Sequence, residues 1–244
     1  MEKFIRRVSA VITFLLIYTF GAYSYLSGKG FVYQNGSFHL IKEADASFLD
    51  TNSSEPKSFA TPVRANIVLN LPAKASLGSQ SAPFTIYEFS SLGCTHCADF
   101  HLNILKKLEK EYLSTGKVKV IFVHFPLEKR SMQAAMLAEC VPSKNKNSFM
   151  AMVFQKQREW MLSTSPEKLL QAYAMAAGLS KTGAEKCVKD ESLAKEIIAN
   201  RQEALDKLNI NGTPAFLFVS GKTRELRSGV PSFDELKTYI DSHL

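Results

Sequence analysis

Residues 8–28 carry no charged side chain at all, and that absence bears on where the rest of the chain resides. The run follows Lys3, Arg6 and Arg7 and contains VITFLLIYTF. It is long enough to cross a bilayer as a helix, which takes about 20 residues, and longer than the apolar part of a cleaved export signal, about 7 to 15 residues. It reads as an uncleaved membrane anchor. Export followed by cleavage after the small-residue site Ala22-Tyr23-Ser24 is the alternative, and a buried core helix is the third reading. Because basic flanks stay in the cytoplasm, Arg6 and Arg7 place everything after Gly28 outside, in an oxidising space.

Other absences narrow the function. The net charge is +7, but residues 1–28 hold three basic side chains and one acidic, which leaves +5 on the remainder. Beyond the apolar run there is no dense Lys/Arg stretch with interleaved aromatics, only mixed sequence such as KKLEKEY, so nucleic-acid binding has no specific support. Cysteine is sparse: Cys94, Cys97, Cys140 and Cys187 are the only four in 244 residues. With 45% hydrophobic and 11% aromatic residues the chain can bury a core without a disulfide framework, so cysteine here is expected to do chemistry. Four cysteines allow three pairings, and only Cys94 and Cys97 are close in sequence. Covalent haem attachment needs His directly after the second cysteine, and Ala98 stands there, which excludes it. Zinc could recruit Cys94, Cys97 and His101, yet no second close pair supplies the fourth ligand, so no metal is expected.

What is present reads as two short α/β halves around a helical stretch. Residues 29–63 are polar and irregular, centred on TNSSEPKS, and read as a linker or stalk. Within it FVYQ-NG-SFHL is a hairpin signal, because both positions of a two-residue turn need positive φ. NIVLNL and FTIYEFS then read as strands, residues 97–112 as a helix, and VKVIFVHF as a strand. In the helix, Cys97, Phe100, Ile104, Leu105, Leu108 and Tyr112 share one face. Residues 131–208 are mostly helical, with one start at Ser165-Pro166-Glu167, where Ser suits the cap and Pro the first turn. GTPAFLFVSG gives a turn and a strand, a further strand follows, and an amphipathic helix capped by Ser232 closes the chain. The divisions are 64–130 and 209–244 for the two halves and 131–208 for the insertion.

FSSLGCTHCADFH, residues 89–101, puts the close cysteine pair where a strand ends and a helix begins, with Gly93 at the turn. The free N–H groups and partial positive charge of a helix N-terminus favour an anion, so Cys94 is expected to be a stabilised thiolate. Cys97 lies one turn inside and should be less exposed. His96, between them, can add positive charge or a donated hydrogen bond, lowering the Cys94 pKa further. A plain structural disulfide would ask little of His96 or of a helix start.

FTIYEFSSLGCTHC, HFPL at 124–127 and GTPAF at 212–216 stand in an order and at separations that resemble the DsbA-like thiol-disulfide oxidoreductases of the bacterial envelope. The resemblance covers about residues 64–243. It implies an α/β thioredoxin fold, a central mixed sheet flanked by helices, with an inserted helical domain. It also implies that Cys94 attacks, that Cys97 resolves, and that Pro214 is a cis-proline whose loop, with Thr213, lies beside the sulfurs and pairs with an extended substrate. Glu88 matches a buried acidic residue that serves proton transfer to Cys97; an exposed strand carboxylate is the other reading. No cofactor is implied beyond the redox-active disulfide Cys94–Cys97 itself. The implied partners are unfolded or reduced exported proteins and a membrane redox partner that recycles the cysteines.

The sequence departs from the best-known oxidases at Thr95, where they have Pro, and Thr213 is shared with isomerase members of the wider family. Oxidase is the leading expectation, with isomerase or reductase as the alternative, and a tethered holdase or adhesion module without catalysis as a different class. Cys140 and Cys187 are read as a second, structural disulfide, against two buried thiols. His39 and His243 read as surface residues, and His124 as packing or functional with equal weight. Trp160 reads as core. Asn35, Asn52 and Asn211 open N-x-Ser/Thr triplets of a kind that arise by chance.

Overall fold

The computed structural model describes residues 75–244 and three short strands before them, at 31–34, 37–40 and 63–64. The chain divides into two units, Met1–Glu55 and Pro56–Leu244. In the first, β1 (Phe31–Gln34) and β2 (Ser37–Leu40) pair antiparallel with Gln34 opposite Ser37, the register of a two-residue connection. The uncharged run at 8–28, the expected strand at 66–71, and the Asn35 and Asn52 triplets lie outside the described residues. Among the described residues no helix is long and apolar enough to cross a membrane.

The second unit is built on a mixed sheet of β3 (Val63–Arg64), β4 (Ser76–Gly78), β5 (Phe84–Ser90), β6 (Val118–His124), β7 (Ala215–Ser220) and β8 (Thr223–Ser228), in the order β3-β8-β7-β5-β6-β4. β5 and β6 run parallel, and the other neighbours are antiparallel. Edge strand β4 is an element that sequence reading missed: SLGS is short, and reads as a turn. Because side chains alternate across a strand, β5 feeds two cores. Phe84 and Ile86 enter the larger one with Phe216 and Phe218 of β7 and Val118, Val120 and Phe122 of β6. Phe89 enters the smaller one with Ile121, Val123, Ala215 and Leu217. The same alternation turns Glu88 towards the larger core, and its side chain is fully buried.

Between β5 and β6 runs one continuous helical stretch that begins as α1 (Thr95–Asp99). It continues through a wide π turn (Phe100–Ile104), an α turn (Leu105–Leu108) and a second π turn (Glu109–Leu113). It begins two residues before the predicted position and leaves Cys94 in extended conformation at its N-cap. The π turns each add a residue per turn, which brings both Phe100 and His101 to the buried side.

The insertion comprises α2 (Lys129–Cys140), α3 (Lys146–Gln155), α4 (Gln157–Leu162), α5 (Pro166–Ala176), α6 (Lys181–Cys187) and α7 (Glu191–Leu208), and α8 (Phe233–Asp241) closes the chain. α2 starts two residues earlier than predicted because Glu128 caps it, accepting from the Ser131 N–H at 2.6 Å and the Arg130 N–H at 2.5 Å. Ser232 caps α8 as expected, in a reciprocal pair with Glu235. Ser165 takes the N-cap position of α5, but its hydroxyl makes no cap bond; instead the Ser163 hydroxyl accepts from the Ser165 N–H. Trp160 is fully buried and donates its indole N–H to the Val153 carbonyl at 2.8 Å.

Cys140 and Cys187, ending α2 and α6, are joined as a disulfide with Cα atoms 6.3 Å apart. Closing a loop over a separation of 47 residues restricts the unfolded chain by roughly 4 kcal/mol in the chain-entropy view. The Cys140→Ser/Cys187→Ser double variant should melt several degrees earlier while the pH titration of Cys94 stays where it was. Equal melting temperatures for the two proteins under non-reducing conditions would contradict the stabilising role.

Candidate active site

The site is assembled where β5 ends over the larger core. Leu92 and Gly93 form a turn closed by a bond from the Cys94 N–H to the Ser91 carbonyl, 3.0 Å. Space at Gly93 is tight: a Cβ there would stand 3.0 Å from Glu128 Oε1, 3.2 Å from Ser131 Cβ and 3.4 Å from Met161 Sδ. Cys94 is half-buried and Cys97 is fully buried, both as thiols in this structure.

The two sulfurs differ in what they can carry. Cys94 is lowered to about 5. The largest cause is a hydrogen bond donated by the Cys97 thiol; it outweighs the opposing effect of burial, with further help from Thr213 and the backbone N–H groups of Cys97 and His96. Cys97 is driven strongly upward, first by burial, then by its role as donor to Cys94 and by the charges of Glu88 and Cys94 nearby. A single negative charge therefore rests on Cys94, and Cys97 keeps its proton.

Thr213 faces the Cys94 sulfur with two groups of opposite preference. Its carbonyl accepts from the thiol at 3.4 Å, which favours the protonated form. Its hydroxyl, without a hydrogen-bond partner among the described residues, is placed to donate to the thiolate and helps lower the Cys94 pKa. The Thr213–Pro214 peptide is cis, Pro214 is buried, and its carbonyl accepts from the Gly229 N–H at 3.1 Å just before β7 begins.

Glu88 is pushed up to about 8 by burial, more weakly by the charge at Cys94, and against a small opposing effect of the Ser90 hydroxyl. Neither carboxyl oxygen makes a hydrogen bond of ordinary geometry among the described residues, so the Ser90 contact is a weak one. The carboxyl is thus mostly protonated at neutral pH, and it lies near enough to Cys97 to raise its pKa.

The other candidates separate cleanly. The His96 side chain is exposed, and the His96 backbone N–H helps hold the Cys94 pKa down. His101, the third possible zinc ligand, packs between Phe122 and Phe154, with ring centroids 5.6 and 4.8 Å away, and burial lowers it to about 4. His124 meets Glu139 at 3.4 Å, and Lys146 meets the same carboxylate at 2.7 Å. Burial resists ionisation of Glu139, but these two partners hold it near 2. His243 packs on Tyr239, Asn211 is exposed, and the side chain of His39 lies outside the described residues. One residue at the site had no sequence signal: Gln157, the first residue of α4, is buried and donates from Nε2 to the carbonyls of Leu92 at 2.8 Å and Cys94 at 3.0 Å. A lone glutamine in a helical stretch looks like any solvated polar position.

A dithiol at a helix start beside a cis-proline loop, on a mixed sheet interrupted by helices, defines a thioredoxin-fold protein of the CxxC class. The thioredoxin family profile matches residues 70–242, and the chain belongs to that family, in its DsbA-like form. The crystal structure of Wolbachia pipientis alpha-DsbA1 is 30% identical with a TM-score of 0.65, covering 72% of this chain and 93% of that one. Disulfide bond formation protein D of Bacillus subtilis is 29% identical over 176 residues, which is 69% of this chain and 76% of that protein. A provisionally named protein-disulfide oxidoreductase of Rickettsia felis is 28% identical over 169 residues, 69% of this chain, and the match spans 59% of that relative's length.

The Glu88 carboxyl yields a pH signature. In the unfolded chain it ionises near 4.3, whereas in the fold it holds its proton to about 8, so between those values the folded state binds more protons and stability falls as pH rises. Glu88→Gln removes that loss, at about 1.4 kcal/mol per pH unit as an upper bound. In reducing buffer the variant's advantage in unfolding free energy, from denaturant titration, should be small at pH 4.5 and grow to several kcal/mol by pH 8. A wild-type to variant difference that does not change with pH would contradict the assignment.

Proposed function

We propose that this protein is an envelope thiol-disulfide oxidoreductase that passes the Cys94–Cys97 disulfide to reduced exported proteins. The observation that carries the reading is the opposed pair of sulfurs: one half-exposed and acidic at a helix start, one buried and held protonated. In the oxidised enzyme a client thiolate attacks Cys94 Sγ, the Cys94–Cys97 bond breaks, and Cys97 leaves with the electron pair. The protonated Glu88 carboxyl is placed to supply the proton that Cys97 takes up. A second client thiolate then attacks the client sulfur of the mixed disulfide, and Cys94 departs as the stabilised thiolate. The client loses two electrons and the cysteine pair gains them, so no cofactor beyond the pair itself enters. A membrane redox partner that withdraws the two electrons completes the cycle.

Direction follows from the acidity of Cys94. A value of about 5 against an ordinary 8.5 leaves it ionised at pH 7, which favours the reduced folded form by about 1.4 kcal/mol, or about 30 mV, for each pH unit between the two. Two such units at pH 7 move the pair by about 60 mV towards an oxidant. The exposed side chains of Leu127 and Leu162 are chain neighbours of Glu128 and Met161, which close over Gly93, and they supply apolar surface for an unfolded client near Cys94. The placement outside the cytoplasm, with residues 8–28 as anchor or as cleaved signal, rests on the charge pattern of the sequence. Thr213 beside the sulfur favours a second reading, isomerase or reductase of the same fold.

Cys94→Ser separates exchange from a non-catalytic binding role. Oxidation of a reduced model peptide by the pre-oxidised protein should fall to background in this variant, and Cys97→Ser should instead accumulate mixed disulfides through Cys94. A wild type that oxidises the peptide no faster than Cys94→Ser would sink the exchange reading and leave a holdase.

A further inference from the structure

We infer that Gln157, a residue of the inserted helices, is a positioning residue of the exchange centre: its side-chain amide, bonded to the carbonyls of both Leu92 and Cys94, fixes the turn that aims the first backbone N–H groups of α1 at the Cys94 sulfur. The inference rests on Cys94 acting as the attacking and leaving thiolate.

Geometry carries it. The two carbonyls lie on either side of Gly93 and converge on one nitrogen, at 2.8 and 3.0 Å, so each proton of the amide has its own acceptor. The Cys94 carbonyl is also the first acceptor of α1, taking the Ala98 N–H at 3.1 Å. Because a peptide unit is planar, holding the Cys94 carbonyl holds the Thr95 N–H on the opposite side and, through the helix, the next two N–H groups. Those are the His96 and Cys97 amides that stabilise the sulfur. Gln157 is itself held: Trp160, three residues on and on the same face, is sealed in the core, and Met161, four residues on, packs beside Gly93. One buried face of α4 thus grips the turn, and packing within the insertion is transmitted to a backbone that faces the reactive sulfur. Removing the amide would leave the buried Leu92 carbonyl short of a donor, an unfavourable state that the turn can relieve by rotating.

The test is Gln157→Met, close in length and volume but without N–H groups, with the wild type titrated alongside. The Cys94 pKa, followed by thiolate ultraviolet absorbance, should rise by about one pH unit, a tenfold fall in the thiolate-to-thiol ratio below the pKa. The potential in glutathione buffers should move about 30 mV in the reducing direction. A lower melting temperature with pKa and potential unchanged would overturn the inference, because a purely structural glutamine does that. Should the Met variant fail to fold, Gln157→Asn, whose amide falls one methylene short, is judged by the same two readings and the same outcomes. A wild-type Cys94 titrating near 8.5 would remove the exchange reading itself, whereas a low wild-type value with an unshifted variant removes the role of Gln157 alone.

Discussion

One negative charge has to rest somewhere in this site, and the fold leaves Cys94 as the place for it. At the N-cap of α1 the sulfur meets backbone N–H groups that have no partner within the helix, together with the thiol of Cys97 and the hydroxyl of Thr213. One turn further in, Cys97 has the same chemistry and the opposite surroundings, an apolar core with the Glu88 carboxyl close by. The asymmetry is a consequence of position. The end of β5 delivers the chain to the surface at Cys94, and the helical period returns it to the interior three residues later.

The remainder of the second unit can be read as support for that contrast. The alternation of β5 drives Glu88 into the larger core, where the cost of ionisation keeps it neutral. Antiparallel pairing of β7 with β5 brings Thr213 and Pro214 to the same end of the sheet as the cysteine turn. The insertion also reaches that turn, with Met161 and Glu128 close against Gly93 and Gln157 bonded to the carbonyls around it. The Cys140–Cys187 bond ties α2, which Glu128 begins, to α6.

Much of this was legible in the residues, for physical reasons that can be named. β5 and β6 announce themselves because FTIYEFS and VKVIFVH are rich in β-branched and aromatic side chains, and the helix after CTHC because its apolar positions recur at helical spacing. The buried place of Glu88 follows from strand alternation once the core side of Ile86 is known. The cis bond at Pro214 came from the family resemblance, since an X-Pro pair carries no local sign of its isomer. Besides β4, other features were hidden. The π turns at Phe100–Ile104 and Glu109–Leu113 depend on tertiary packing rather than on any helix breaker. The His96 backbone N–H adds to the stabilisation of the Cys94 sulfur, a contribution that sequence proximity alone does not show. Gln157 is 63 residues from Cys94 in the chain, and only the packing of α4 on the turn makes them neighbours.

The central claim is that stabilising the Cys94 thiolate makes the reduced fold the more stable one, so that the pair gives its disulfide away. Its most direct test compares guanidinium unfolding of the reduced and oxidised protein across pH. A group whose pKa is lowered in the fold stabilises it fully above the unfolded value of about 8.5, partly at pH 7, and not at all once pH has fallen through the folded value, here about 5. The account predicts that the reduced form is the more stable at pH 7 and that its advantage shrinks as pH falls through about 5. An oxidised form that is the more stable at pH 7, or a difference that does not change with pH, would contradict it.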